Sequence, residues 1–120
     1  MNQKEASKHI VPIMAMAAAA QLNRLLGVRF HARSEHGMVR ISDGIRQKEW
    51  SFMLMLKIET KQDSTSEQEV DYFVASVADL QQVRNGVVKH ENIVDYFLPG
   101  IAEEIPIVIH RMFNKYNRLP

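Results

Sequence analysis

Five histidines, at positions 9, 31, 36, 90 and 110, are the residues with which this chain could hold a metal or move a proton. Zinc hydrolases set two histidines one helical turn apart with a glutamate between them, which aims two ring nitrogens at one ion and leaves a carboxylate as base. Here His31 and His36 flank a turn, His9 precedes a helix, and His90 and His110 fall in separate segments, so no pair has that spacing. No metal site is expected. Cysteine is absent, which removes thiolate nucleophiles, thiolate ligands and disulfides together. No serine sits in a Gly-x-Ser-x-Gly elbow. The glycines, at 27, 37, 44, 86 and 100, are too scattered to cradle a phosphate, so no nucleotide cofactor is expected. Glu91, Asp95, Glu103 and Glu104 could supply the paired carboxylates of glycoside chemistry. A plainer account covers Glu103 and Glu104: they precede a helix predicted to begin near Ile105, where negative charge suits the positive end of the helix dipole. The expectation is a protein that is not an enzyme and carries no cofactor.

The constellation that remains is cationic. Arg29, His31 and Arg33 alternate with Val28, Phe30 and Ala32, so one face of a strand is basic and the other apolar. Arg40 joins from the returning strand, with Arg24 and Arg46 near the ends. Such a ribbon can meet an acidic protein, or phosphates on nucleic acid or a small ligand, since arginine forks fit both carboxylate and phosphate. Positive charge on an outer strand also has a commoner use, which is to prevent edge-to-edge pairing. Phe30 points away from the arginines, so the aromatic platform that stacks single-stranded bases is missing. A nucleic-acid or phosphorylated ligand therefore ranks below a protein partner. Charge reversal at Arg29 and Arg33 is expected to abolish partner capture without lowering the melting temperature.

The elements that position these residues follow from periodicity. Pro12 in a first turn and Gly27 past the end bracket a helix over about 12–26. Its first half is apolar all round, which predicts a place central in the fold or in a subunit interface. A hairpin follows, with Val28–Arg33 and Met38–Ser42 joined by Ser34-Glu35-His36-Gly37. The strongest strand runs from Trp50 to Glu59, with Trp50, Phe52, Leu54, Leu56 and Ile58 inward and Ser51, Met53, Met55, Lys57 and Glu59 outward. Residues 61–69 form a solvated loop leading to a strand in which Val70, Tyr72 and Val74 alternate with Asp71, Phe73 and Ala75. Ser76 to Asp79 reads as a helix start, with Leu80 and Val83 inward and Asn85-Gly86 as its stop. A short helix over about His90–Phe97 ends before Pro99-Gly100. A last helix from Ile105-Pro106 carries the stripe Ile105, Val108, Ile109, Met112, Phe113 and Tyr116. The predicted fold is one α+β domain over 1–120: an N-terminal helix, a mainly antiparallel sheet of about four strands, and C-terminal helices packed on that sheet.

Composition agrees. The apolar fraction of 46% and charged fraction of 24% are those of a globular domain. The segment from Lys4 through Ala20 has the outline of a secretory signal, but Glu5 and His9 interrupt the basic lead and the helical period continues through Arg24, which favours a domain helix. No run is long enough to span a membrane, and a cytoplasmic location is the simplest reading of a cysteine-free chain. Residues 1–60 hold nine Lys/Arg against five Asp/Glu, and residues 61–120 hold six against nine. That asymmetry suits head-to-tail association or an oriented partner. Met53 and Met55, on a strand face that is only half polar, leave apolar surface for another subunit or partner, a use to which methionine's flexible side chain is suited. The expected function is that of a small regulator, adaptor or accessory protein acting through protein–protein contacts as a homo-oligomer. Arg29, His31, Arg33, Arg40, Met53 and Met55 are its expected contact residues.

Overall fold

The computed structural model describes residues 3–62, 69–81 and 90–116. A helical turn at Gln3–Glu5 and a π-helical segment at Ala6–Ile10 lead into helix α1, Val11–Leu25, with Pro12 in its first turn. Five strands follow: β1 Phe30–Glu35, β2 Met38–Asp43, β3 Glu49–Gln62, β4 Glu69–Asp79 and β5 His90–Asp95. Helix α2, Leu98–Tyr116, closes the described chain. The strands pair in chain order, every neighbour antiparallel.

Both helices lie on one side of this meander. On α1 the buried residues are Val11, Met14, Ala15, Ala18, Ala19 and Leu22, the spacing of a single helical face. The sheet answers with Val39, Ile41, Trp50, Phe52, Leu54, Leu56, Ala75 and Val77. From α2 come Ile105, Val108, Ile109, Met112 and Phe113, the stripe expected of it; the side chain of Tyr116 and all of Arg118 lie outside the described residues. Trp50, Phe30 and Phe113 meet edge to face, with centroids 5.1 to 6.2 Å apart, and lock α2 to the first strands. The β1–β2 turn is two residues long, with His36 at φ 51° and Gly37 at φ 75°. Two positive φ values are what a tight hairpin with the native strand twist requires.

The α+β class, the N-terminal helix and the antiparallel sheet agree with the sequence reading, while several boundaries differ. β4 runs on through Ser76 to Asp79, where a helix start was expected, because each of these residues pairs with β3: Ser76 with Met55 and Asp79 with Phe52. Residues 80 and 81 are helical, and Val83, Asn85 and Gly86 lie outside the described residues. The segment 90–95 is a fifth strand rather than a helix, held by pairing of Ile93 with Ala75. The last helix starts at Leu98, seven residues before Ile105, so the break expected at Pro99-Gly100 falls in its first turn, and it is the one long C-terminal helix among the described residues where several were expected. Pro99 occupies its first turn, where proline is tolerated, and Pro106 falls in its interior. β3 and β4 also extend into the expected loop, as far as Gln62 and from Glu69, leaving residues 63–68 undescribed.

Candidate interaction surface

The face of the sheet away from the helices is built by register. Met38 on β2 pairs with Met53 on β3, and Met53 with Ala78 on β4. One step along, Met55 pairs with Ser76 and Ser76 with Asn92. The next row is Lys57, Val74 and Val94. Strand alternation puts these side chains opposite the core set, and Met53, Met55 and Val94 are 37%, 46% and 60% exposed. Tyr72 and Tyr96 continue the strip, their rings 6.2 Å apart, with the Lys61 ammonium over Tyr96. A methionine and valine strip thus crosses the middle of the uncovered face and ends in two tyrosines.

Beside the strip, on β1 and β2, the expected basic residues are found in unlike surroundings. Arg29 precedes β1 and does not project from it. Its guanidinium donates to both carboxylate oxygens of Asp43, at 3.0 and 2.9 Å, and lies 5.3 Å from the centre of the Phe30 ring. Asp43 is fully buried at the side chain and also accepts the backbone N–H of Ile45. The Arg29 hydrogen bonds hold the Asp43 carboxyl well below the usual carboxylate range; burial opposes them, and backbone N–H groups of Ile45 and Arg46 add to them. The same pairing raises the Arg29 pKa against the effect of burial. Arg29 is therefore a bolt between the start of β1 and the end of β2, and reversing its charge would strand a buried carboxylate. The fold-neutral reversal expected at Arg29 is corrected accordingly, and the alternation fails there because Val28 is fully exposed and the strand begins at Phe30.

Arg33 and Arg40 do sit side by side on the open face, as directly paired residues. Like charges in that position repel unless something bridges them. Glu35 and Glu49 do so. Arg33 donates to Glu49 at 2.9 Å and to Ser42 Oγ at 3.0 Å, and lies 3.5 Å from Glu35. Arg40 reaches Glu49 at 3.4 Å through Nη1, while its buried Nε stands 3.4 Å from Glu35 without making a hydrogen bond. Burial pushes the Glu49 pKa up, and the hydrogen bonds from Arg40 and Arg33 outweigh that and bring it down. His31 is exposed near the outer end of β1. The structure thus brings together Arg33, Arg40, Met53 and Met55 on one face and sets Arg29 apart.

Sequence reasoning missed Met38, Val74, Val94, Tyr72 and Tyr96. β4 alternates between two apolar sets, and only pairing with β3 shows that Phe73, Ala75 and Val77 face the helices while Tyr72 and Val74 face away. Among the described residues, no three His, Asp or Glu side chains come together as a metal site would need. No described helix is long and apolar enough to cross a membrane. No protein-family model, curated protein or solved structure matches this chain, so the uncovered sheet face stands as its candidate interaction surface on geometry alone.

Proposed function

We propose that this chain is a small, non-enzymatic interaction module of the cytoplasm, acting as a regulator or adaptor through the uncovered face of its sheet, and that a second copy of itself is one partner. The observation that carries the reading is the apolar strip of Met53, Met55 and Val94, which are exposed, flanked by the half-buried Met38 and Val74. Monomeric domains seldom leave a contiguous apolar patch of this kind on the flat side of a sheet, and stacked sheets are a standard way to cover one.

Size and charge both favour a second copy. Five strands, the shortest of six residues, give a face of roughly 24 by 20 Å, so a face-to-face pair would bury about 1,000 Å² in all. That is the lower limit for a specific interface, which predicts a pair that dissociates on dilution. The face does not repel itself, since Arg33 and Arg40 are balanced by Glu35 and Glu49, and Lys57 neighbours Glu59. The same balance leaves phosphate little to attract, so a nucleic-acid or phosphorylated ligand draws less support than a protein.

Sedimentation velocity over a concentration series tests this. The wild-type chain should shift from monomer to dimer, and Met55→Glu should remain monomeric with an unchanged melting temperature. The chain has no cysteine, so Met55→Cys should cross-link to itself under mild oxidation while Ile13→Cys, on the helix side, should not. A wild-type chain that stays monomeric at millimolar concentration, or a dimer that survives Met55→Glu, would sink the self-association reading.

A further inference from the structure

Glu103 and Glu104 lose their explanation once α2 begins at Leu98. They fall in its second turn, whereas a helix dipole acts on charges in the first. Both are exposed, and neither has a hydrogen-bond or ion-pair partner among the described residues. Glu103 stands on the wall of a groove of about 550 Å³ between α1 and α2, on the side of the molecule away from the open sheet face. Ala17 and Ala102, too small to fill the space between the helices, line it with Leu25 and Ile107, which are about half exposed.

The groove also offers a second acceptor. Pro106, inside α2, has no N–H, so it cannot bond the Ala102 carbonyl as any other residue at that position would. Both residues line the groove. An apolar trough of this volume is within the range of small ligand sites, and this one carries an unpaired carboxylate and a carbonyl deprived of its usual donor.

We infer that the groove between α1 and α2 binds an arginine-bearing, apolar-flanked peptide segment of a partner protein. The arginine stem would lie along Leu25 and Ile107, as long basic side chains do on apolar surface. Its planar head has donors enough for the Glu103 carboxylate and the Ala102 carbonyl at once. Acidic segments are turned away by Glu103 and Glu104 together. This site is independent of the sheet-face contact, and either can fail without the other.

The test is a titration of the full chain, labelled with nitrogen-15, by three synthetic peptides: Gly-Leu-Arg-Leu-Gly and its versions with glutamine or glutamate in place of arginine. The arginine peptide should bind about tenfold more tightly than the glutamate peptide, the size of one charge-assisted contact at a partly exposed rim. Amide shifts should centre on Ala17, Leu25, Ala102 and Ile107. Glu103→Lys, an exposed change that leaves the fold alone, should invert the preference. Pro106→Ala, which restores a donor to Ala102, should weaken the arginine peptide several-fold while raising the melting temperature. Equal binding or no saturable binding of the three peptides, a preference untouched by Glu103→Lys, or shifts confined to the sheet face would overturn the inference.

Discussion

The two faces of β3 belong to the same residues in alternation and yet have opposite fates. On one side Trp50, Phe52, Leu54 and Leu56 are buried under two helices. On the other, Met53 and Met55 are apolar too, but nothing in the described chain lies over them. The covered side has exhausted its capacity to bind anything. The open side has satisfied its charges, through Arg33, Arg40, Glu35 and Glu49, and left its apolar centre unsatisfied. A strand can thus be read twice, once for how the chain folds and once for what it has left to offer.

Adjacent substitutions on β3 should separate the two readings most sharply. Leu56→Ala is expected to cost about 2–5 kcal/mol, because it removes buried methyl groups and leaves a cavity. Met55→Ala, one residue away, should cost less than about 0.5 kcal/mol while weakening self-association. Urea denaturation followed by far-UV circular dichroism gives the first quantity and sedimentation the second. Comparable stability losses in both would mean that the two faces are not distinct in the way described.

Next in size is the bolt between Arg29 and Asp43. Asp43→Asn should lower the melting temperature at neutral pH, and the dependence on acidity has a definite sign. Because the folded carboxyl titrates well below its ordinary value of 3.8, the stabilisation is complete above that value and is lost as the pH falls from there through the folded one. The gap in melting temperature between wild type and Asp43→Asn should therefore hold between about pH 7 and 5 and narrow progressively below about pH 4. A gap that stays constant down to pH 2 would show that the pair contributes nothing through ionisation.

Smaller effects are expected at the margins of the covered side. Gly100 lies so close to the Asp95 carboxylate that an added Cβ would overlap it, and that carboxylate accepts the Phe97 N–H at 3.0 Å just before α2. Gly100→Ala should displace it and cost about 1 kcal/mol, the usual net worth of one hydrogen bond. Asn23→Ala should cost about as much, since its two part-buried bonds leave the N–H and carbonyl of the buried Ala32 without that partner. Thermal melts resolve both; a stabilised Gly100→Ala would show that the carboxylate moves aside freely.

How far the sequence reached depends on what each residue had to reveal. The alternation of β3 was legible because the strand is long and its burial one-sided, whereas the first half of α1, apolar all round, hid the single face that it buries, with Ile13 and Met16 exposed. Ser76 and Asp79 looked like a helix cap because their local preferences are those of caps, and eleven pairs with β3 overrode them. His90–Asp95 was too short for its period to decide between helix and strand, so its pairing with β4 had to settle the matter. Pro106 resembled a first-turn proline and is interior, which a sequence cannot show before the helix start is known. At the candidate surface, Met53 and Met55 were legible from a single strand. The rows that extend them to Met38, Val74 and Val94 are products of register, and the partners of the arginines are products of the turn at Asp43.

The amide of Asn23 on α1 bonds both the N–H and the carbonyl of Ala32, at 2.7 and 2.9 Å, as a neighbouring backbone would. A fibre of stacked chains needs two receptive sides on every molecule, and here one of them is already occupied from within. Any growth through β1 must first displace that amide, so copies that joined through β5 would stop at a pair. The side chain guards the middle of the β1 edge against strand-to-strand pairing.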